Sequence, residues 1–384
     1  GRWMERVAKQ FGWSSRQIRR IVQRELGVSP MELLQTRRLL LAKQLLTETR
    51  LPMTTVAHAS GFSSVRRFNA LFGTRYGLNP QRFRRSSGED VASEGVTLRL
   101  AYRPPLAWPE LRNFLVGRGA VGVEAAEGDR YLRTVNFDGR RGWIAAEAVP
   151  GRHVLQVGIS SALVPVLARL LPRLRRLFDL DAHPAAIAQV LGADARMAPL
   201  VAACPGLRVA GALDGFELAL RAVLGQQVTV KAATTLFGRF ARAFGEPALT
   251  PYPALLYFAP QAARVAEASL QQLIDLGLTQ RRAQTVSDLA RAIAGGGLDL
   301  DGGARIETAI EGLLAIPGIG PWTAQYVAMR ALRDPDAFPS SDFGVMKALC
   351  VTRPGHALQA AEGWRPWRAY GALHLWRSLA SGGG

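Results

Sequence analysis

The sequence predicts a mainly α-helical chain with one small α+β domain, on three observations. A basic amino-terminal segment repeats a helix, a glycine turn and a second helix; a middle segment alternates apolar and polar residues; and the remainder is helical to its end. We expect two helix-turn-helix units, an antiparallel sheet domain and an all-α domain that contains a helix-hairpin-helix. The expected bounds are 1–85 for the first domain, 86–93 for a linker, 94–165 for the sheet domain and 166–380 for the all-α domain.

Length and composition exclude several classes of protein. A chain of 384 residues exceeds one ordinary core, and a hydrophobic content of 48% excludes a disordered chain. No apolar run is long enough to span a membrane and no signal peptide is recognisable, so we expect a cytoplasmic, nucleoid-associated protein. Two cysteines cannot form a disulfide framework, and no His, Cys or carboxylate cluster has the spacing of a transition-metal site, so no metal is expected there.

Positive charge is concentrated at the amino terminus. The chain has 48 basic and 30 acidic residues, a net charge of +18, and residues 1–85 hold 17 of the basic but only 4 of the acidic ones. Lysine and arginine displace counterions from phosphates, which favours nucleic-acid binding. A well-solvated arginine-rich surface is the alternative, and charge alone leaves both open.

This basic segment repeats itself. Gly12-Trp13-Ser14-Ser15 returns as Gly61-Phe62-Ser63-Ser64, and Gly27-Val28-Ser29-Pro30 returns as Gly77-Leu78-Asn79-Pro80. In each copy a serine can cap the next helix, whose apolar residues face a core and whose arginines face elsewhere. The arginines expected to contact DNA are Arg16, Arg19, Arg20, Arg66 and Arg67.

One long helix, 30–47, is predicted between the two copies. At about 1.5 Å per residue it spans about 27 Å, which with its neighbours sets the two recognition helices near the ~34 Å repeat of the major groove. The paired turns and the closing Asn79-Pro80-x-x-Phe83-Arg84 resemble an AraC-type DNA-binding domain. Promoter DNA is therefore an expected partner and RNA polymerase a further candidate. A basic helical bundle without such a role is the alternative.

Alternating residues predict the sheet domain. Val96, Leu98, Leu100 and Tyr102 alternate with polar residues, which is typical of a half-buried strand. A helix is expected near 110–117. Further strand-like runs cover 121–124, 131–137, 142–146 and 154–159.

The most informative motif is Pro317-Gly318-Ile319-Gly320-Pro321, which lies between two predicted helices. Its glycines allow the backbone to approach a phosphate, and the free N–H groups of the second helix attract an anion. The motif indicates a helix-hairpin-helix clamp on the DNA backbone, with Pro317, Gly318, Ile319 and Gly320 as contacts. An alkali cation on the hairpin carbonyls stays open, and no other cofactor is expected. An ordinary corner between two helices is the alternative.

Other segments extend this pattern. Trp322-Thr323-Ala324 follows the hairpin directly, and Phe338-Pro-x-x-Asp342 precedes an apolar helix. As a set, over about 96–380, these motifs resemble the helix-hairpin-helix DNA glycosylases of the alkylation-repair type, 3-methyladenine DNA glycosylase II (AlkA). Matching segments also occur at 102–108, 224–229 and 364–376.

The resemblance makes Asp342 the catalytic candidate. Excision of a base leaves an oxocarbenium-like sugar, whose charge a fixed carboxylate stabilises, and the carboxylate can also orient or deprotonate the attacking water. Aspartate before a helix is also a good N-cap, and both roles are compatible. Asp334 and Asp336 are weaker candidates that fit solvated loop charges.

Trp322 predicts the type of mechanism. Relatives that also cut the DNA backbone carry a Schiff-base lysine at this place after the hairpin, and an indole cannot form an imine. Lys347 lies near Asp342 in sequence but in the following helix. We therefore expect a monofunctional glycosylase that uses water, and not a lyase.

Aromatic residues are implied for the lesion pocket. Alkylated bases are electron-poor, so electron-rich rings attract them by stacking and cation–π contact. The matching positions are Trp322, Tyr326, Trp376 and Phe114, while Phe343 stands where the relative has tyrosine. Core packing is the alternative for each of these rings.

Gln227 matches the position at which the family inserts a leucine into the duplex. An amide fills less apolar space but can hydrogen-bond the orphaned base. We expect a monomer that acts on double-stranded DNA with alkylated bases. The alternative is an alkylation-responsive transcription factor whose carboxy-terminal domain senses lesions without catalysis. The fusion also resembles adaptive-response regulators, which add an amino-terminal zinc domain whose cysteine accepts methyl groups. Because the sequence starts at Gly1, nearly inside the first helix, we expect a longer native protein, and the resemblance implies such a domain in it.

Overall fold

The chain divides into two compact units, residues 1–97 and 98–384. A computed structural model describes residues 5, 8, 12–49, 51–84, 95–301 and 305–381. The predicted linker at 86–93 lies outside the described residues.

Helices form the described part of the first unit, and the two that follow the repeated turns are capped by serine and ended by glycine. Ser14 forms a capping box, and Ser64 accepts a hydrogen bond from the backbone of the third residue after it. Gly27 and Gly77 end the same two helices, both at a φ of 69°, which favours glycine. The helices are α1 (Ser15–Leu26), α2 (Pro30–Glu48), α3 (Met53–Ala59), α4 (Val65–Tyr76) and α5 (Pro80–Arg84).

The packing of this unit confirms the predicted repeat of helix, turn and helix. The long helix α2 buries Leu45 in the core, and α4 buries Phe68 and Phe72 completely. The five predicted arginines stay outside this core. Arg16, Arg19, Arg20, Arg66 and Arg67 are all exposed.

A five-stranded sheet with the order β1-β5-β4-β3-β2 opens the second unit. The pairs β2–β3, β3–β4 and β4–β5 are antiparallel, with Thr134 opposite Trp143 and Ala146 opposite Val157. One helix packs on the sheet through Leu111 and Leu115. The elements are β1 (Gly95–Ala101), α6 (Trp108–Gly117), β2 (Glu124–Glu127), β3 (Arg130–Phe137), β4 (Arg140–Ala148) and β5 (Val154–Ser160).

The predicted strand at 121–124 is wrong. Gly122 has a φ of 87°, and the backbone N–H groups of Val123 and Glu124 both donate to the Ala120 carbonyl, so the chain turns there. The strand begins only at Glu124. Of the two valines that suggested a strand, Val123 is fully buried at this turn, whereas Val121 is 73% exposed.

Helices follow the sheet to the end of the described chain. Two core clusters hold them together: one packs around α10 and α14, and the other surrounds the fully buried Trp364. They are α7 (Leu167–Leu177), α8 (Pro184–Gly192), α9 (Met197–Ala203), α10 (Gly215–Leu224), α11 (Val230–Phe244), α12 (Ala262–Ala266), α13 (Leu270–Asp275), α14 (Gln280–Ala294), α15 (Ile306–Leu314), α16 (Pro321–Val327), α17 (Phe343–Ala348), α18 (Pro354–Ala360) and α19 (Arg368–Ser381). The predicted fold class, mainly α with a small α+β domain, is confirmed.

Candidate active site

The Pro317–Gly320 turn joins α15 to α16 and is fixed by side chains from two other elements. The Thr285 hydroxyl, on α14, donates to the Pro317 carbonyl at 2.8 Å. The Gln226 side-chain amide donates to the Gly318 carbonyl at 3.0 Å and to the Thr323 hydroxyl at 2.9 Å. The carbonyls of Pro317 and Gly318 thus accept hydrogen bonds inside the protein.

Gly318 is required by both backbone conformation and space. Its φ is 94°, a region that residues with a Cβ rarely adopt, and a Cβ there would lie 2.1 Å from the Thr285 hydroxyl oxygen. The close approach of this turn to α14 therefore depends on the missing side chain.

Asp342 precedes α17 and its carboxylate accepts three hydrogen bonds. The Val345 backbone N–H donates to Oδ1 at 2.9 Å, as expected of an N-cap. The Trp376 indole donates to the same oxygen at 2.8 Å, and the Trp322 indole donates to Oδ2 at 2.8 Å. The helix cap that the sequence predicted is therefore present, and two indole N–H groups hold the same carboxylate.

A cleft of about 1170 Å³ opens beside this carboxylate. Trp322 and Tyr326 stack in it with ring centres 5.4 Å apart and planes 10° apart, and Trp376 lies 6.2 Å from Tyr326. Phe343 is on the rim, with 77% of its surface exposed. The structure thus brings the predicted carboxylate, three of the predicted rings and the hairpin glycines to one cleft.

Phe114 has a different position from the other predicted rings. It stacks at 6.5 Å on Trp376, and the guanidinium of Arg118 covers it at 3.9 Å from the ring centre. Arg118 lines the cleft, while Phe114 is partly buried against the core. Phe114 therefore supports the cleft wall through Arg118 and Trp376, and its direct contact with a base stays a prediction.

Gln227 is exposed at the tip of the loop between α10 and α11 and also lines the cleft. Its φ is 54°, an uncommon conformation for a residue other than glycine, which turns the chain sharply there. The preceding Gln226 holds the base of the loop, because it donates to the hairpin and its own carbonyl accepts from Arg282 at 2.6 Å. Insertion of Gln227 into a duplex stays a prediction.

Sequence reasoning missed two arginines of the cleft, Arg118 and Arg330. Arg330 is buried and donates to the Tyr326 hydroxyl at 2.8 Å and to the carbonyls of Ala210 and Gly211. Burial opposes ionisation of Tyr326, but the two guanidinium groups outweigh it and lower the Tyr326 pKa. A spacing of four residues, between Tyr326 and Arg330 and between Phe114 and Arg118, was the available signal in the sequence.

A buried ionic network joins the sheet to α10 next to the cleft. Arg133 on β3 pairs with Glu124 and Glu217, and Arg221 on α10 pairs with the same two carboxylates. Burial would raise the Glu124 pKa, but the guanidinium groups of Arg221 and Arg133 outweigh it and lower the pKa to about 2. Tyr131 donates a further hydrogen bond to Glu124.

The part of the chain that the structure describes contains neither a candidate metal site nor a candidate membrane-spanning helix. Its His, Cys, Asp and Glu side chains form no group of three or more that could hold a metal ion. In the same residues, no helix combines the length and the apolar surface needed to cross a bilayer.

Comparison with known families divides the chain in three. Residues 7–86 match a helix-turn-helix domain, residues 97–214 match the AlkA N-terminal domain, and residues 220–362 match the HhH-GPD superfamily of base excision DNA repair proteins. The class that the fold and cleft define is therefore a helix-hairpin-helix base-excision repair protein with an added helix-turn-helix domain.

Individual relatives narrow this class. The chain is 36% identical over 385 residues to a probable bifunctional transcriptional activator/DNA repair enzyme AlkA of Mycobacterium tuberculosis, covering 97% of this chain and 76% of the relative. It is also 36% identical over 277 residues to DNA-3-methyladenine glycosylase 2 of Escherichia coli, covering 72% of this chain and 95% of the relative. The chain belongs to the AlkA family of DNA-3-methyladenine glycosylases, fused to an AraC-type helix-turn-helix domain.

The fold agrees with a solved relative. A 3-methyladenine DNA-glycosylase from Archaeoglobus fulgidus superposes with a TM-score of 0.63, over 72% of this chain and 96% of that one, at 21% identity. The family matches and the 36% identity to the two relatives confirm the resemblance inferred from the hairpin and the Phe-Pro-x-x-Asp motif.

Proposed function

We propose that this protein hydrolyses the N-glycosidic bond of alkylated bases flipped out of double-stranded DNA, with Asp342 as the catalytic carboxylate. One observation supports this most directly: the Asp342 carboxylate is fixed by two indole N–H groups beside a cleft lined by aromatic rings and hairpin glycines. A flipped electron-poor base can stack on Trp322 and Trp376, while its sugar faces the carboxylate.

The hydrogen bonds of Asp342 define what its carboxylate can still do. An ionised carboxylate has about four lone-pair sites, two on each oxygen. Oδ1 accepts from Val345 and Trp376, and Oδ2 accepts from Trp322, so one site remains on Oδ2. That site can orient or deprotonate the attacking water, while the charge stabilises the oxocarbenium-like sugar in the transition state.

The same cleft favours hydrolysis over lyase chemistry. Among the described residues that line it there is no lysine, and Trp322 stands where a Schiff-base lysine would be required. We expect borohydride to trap no covalent adduct between this protein and damaged DNA. The proposed enzyme needs no cofactor for the chemical step, and an alkali cation at the hairpin would act only on DNA binding.

The first unit suggests a second DNA partner. Its two capped helices carry exposed arginines, and its domain matches a helix-turn-helix family, so we propose that it binds promoter DNA. Recruitment of RNA polymerase from that site is the corresponding proposal for transcription.

The decisive experiment is the release of free bases from methylated duplex DNA by wild type and Asp342→Asn. Asparagine retains the helix cap, so the variant should fold and bind DNA, but it lacks the charge. We expect base release to fall at least about 10³-fold. Asp334→Asn is the matched control, because Asp334 accepts a backbone hydrogen bond in a loop outside the cleft and its variant should stay active.

Equal release by wild type and Asp342→Asn would remove Asp342 from catalysis. No release by wild type, together with intact promoter activation, would favour a lesion sensor without catalytic activity.

A further inference from the structure

Arg118 places a guanidinium group in the cleft where the sequence predicts a pocket for cationic bases. The residue follows the last turn of α6, lines the cleft and covers the Phe114 ring at 3.9 Å. It forms no ion pair with a carboxylate of the described residues, although Asp342 is near enough to influence its charge. The Tyr326 hydroxyl is its hydrogen-bond partner, which leaves the other N–H groups of the guanidinium at the cleft with no carboxylate to neutralise them.

The adjoining wall of the cleft also presents hydrogen-bond donors. The Tyr326 hydroxyl oxygen accepts from Arg330, which is anchored on the Ala210 and Gly211 carbonyls. Because its oxygen is engaged as an acceptor, the hydroxyl proton is left to be donated. A base that stacks on Trp322 would meet this hydroxyl and the Arg118 guanidinium, and both of them donate.

Arg118 is held in this position by its main chain. Arg221 donates to the Arg118 carbonyl at 2.9 Å and belongs to the buried ionic network with Glu124 and Glu217. The next residue, Gly119, packs so tightly that a Cβ would lie 2.8 Å from the Glu124 Cβ. The guanidinium thus projects from a rigid support, which is the condition for hydrogen bonds that discriminate between ligands.

The aromatic wall of the cleft (Trp322, Tyr326 and Trp376) and its donor wall (Arg118 and the Tyr326 hydroxyl) select for different properties of a base. Electron-rich rings favour an electron-poor or cationic base, whereas an unneutralised guanidinium repels positive charge and needs an acceptor. A purine with a carbonyl oxygen satisfies both walls, because its ring stacks and its oxygen accepts. A purine with an amino group at the same position presents a hydrogen-bond donor to Arg118 and Tyr326, which also donate, so no hydrogen bond forms there.

We infer that Arg118 is a specificity-determining residue, which donates hydrogen bonds to the carbonyl oxygen of a flipped 6-oxopurine and so favours oxopurine lesions over 6-aminopurine lesions. The inference rests on the proposed glycosylase function. Loss of a hydrogen bond to a charged donor corresponds to about ten- to hundredfold in rate.

The test uses one methylated duplex DNA that carries both 3-methyladenine, a 6-aminopurine, and 7-methylguanine, a 6-oxopurine. The full-length chain is compared with Arg118→Gln and Arg118→Lys, and the two bases released in the same tube are measured. Their ratio does not depend on how much of a variant is folded. We expect Arg118→Gln to shift the ratio toward 3-methyladenine about ten- to hundredfold, and Arg118→Lys to shift it less, because lysine keeps a charged donor.

A second duplex with hypoxanthine, a neutral 6-oxopurine, separates carbonyl recognition from charge. Arg118→Gln should lose activity on hypoxanthine as it does on 7-methylguanine. Arg281→Gln is the control, since Arg281 is an exposed arginine of the same cleft, and its removal should lower release of all three bases equally. An unchanged ratio in Arg118→Gln overturns the inference, whereas absence of any base release by wild type overturns the proposed function itself.

Discussion

Arginines serve the two units of this protein in opposite ways. In the first unit, Arg66 and Arg67 are exposed on α4 and form no ion pair with a described carboxylate. In the second unit, Arg330 is buried and bonded to two carbonyls and a hydroxyl, and Arg221 is held by two buried carboxylates. The first arrangement leaves positive charge free for phosphates, and the second uses it to fix the geometry of a cleft.

The two units also differ in how they can meet a phosphate. The first presents long flexible cationic side chains, whose attraction falls with salt and tolerates small displacements. The hairpin of the second presents main-chain groups on a turn that leaves no room for a Cβ at Gly318. DNA binding by the first unit should therefore weaken when its arginines are neutralised or the salt concentration rises. The activity of the second unit should fall when a side chain is added at its hairpin.

Among the variants that compare the two units, Gly318→Ala is expected to have the largest effect. The added Cβ would meet the Thr285 hydroxyl at 2.1 Å, and a φ of 94° is strained for alanine, so the hairpin must shift. A cost of about 3 kcal/mol corresponds to a loss of base release of about hundredfold. Because no charge is removed, the salt dependence of DNA binding should keep its slope.

Gly320→Ala is the matched control for folding. Gly320 has a φ of −102°, and a Cβ there has no atom within 4 Å. Its denaturation midpoint should equal that of wild type, while Gly318→Ala unfolds at lower denaturant. If both variants retain the wild-type midpoint and base release, the tight fit of the hairpin on α14 does not control activity.

Asp179→Asn tests the consequence of a buried charge in the second unit. Asp179 accepts hydrogen bonds from the Tyr370 hydroxyl at 2.7 Å and the Val209 backbone, yet burial outweighs them and raises its pKa from 3.8 to about 6. The folded state therefore binds the proton more tightly than the unfolded state. The resulting stability is present below about pH 3.8 and is lost as pH rises through about 6, by about 3 kcal/mol in total.

Urea denaturation between pH 4 and 7 measures this loss. Relative to Asp179→Asn, wild type should become less stable by about 3 kcal/mol as pH rises over that range. Tyr370→Phe removes a donor to the carboxylate, so it should raise the Asp179 pKa further and extend the loss to higher pH. If the free energy of unfolding depends on pH in the same way in wild type and Asp179→Asn, the Asp179 pKa is not raised by burial.

The sequence predicted those parts of the site that local motifs encode. The glycine turn, its proline-started helix and an aspartate before a helix each depend on a few neighbouring residues. Arg118 was missed because its contact with Phe114, four residues earlier, is local, whereas its place at the cleft depends on the packing of α6 beside Trp376 of α19. The run at 121–124 misled because a buried residue of a turn, Val123, has the same apolar character as a buried residue of a strand, and because Val121 is apolar although it is exposed.

The double variant Arg66→Gln/Arg67→Gln is expected to have the smallest effect and to separate the two units most clearly. Each phosphate contact contributes about −0.9 to the slope of log affinity against log salt, so two lost contacts reduce its magnitude by about 2, or about tenfold in affinity between 50 and 200 mM salt. Arg24→Gln is the control, because Arg24 already pairs with Glu25 at 2.7 Å and its removal should change the slope less. Base release at low salt should not change. If the slope stays that of wild type, α4 does not contact phosphate and its charge is a solvated surface.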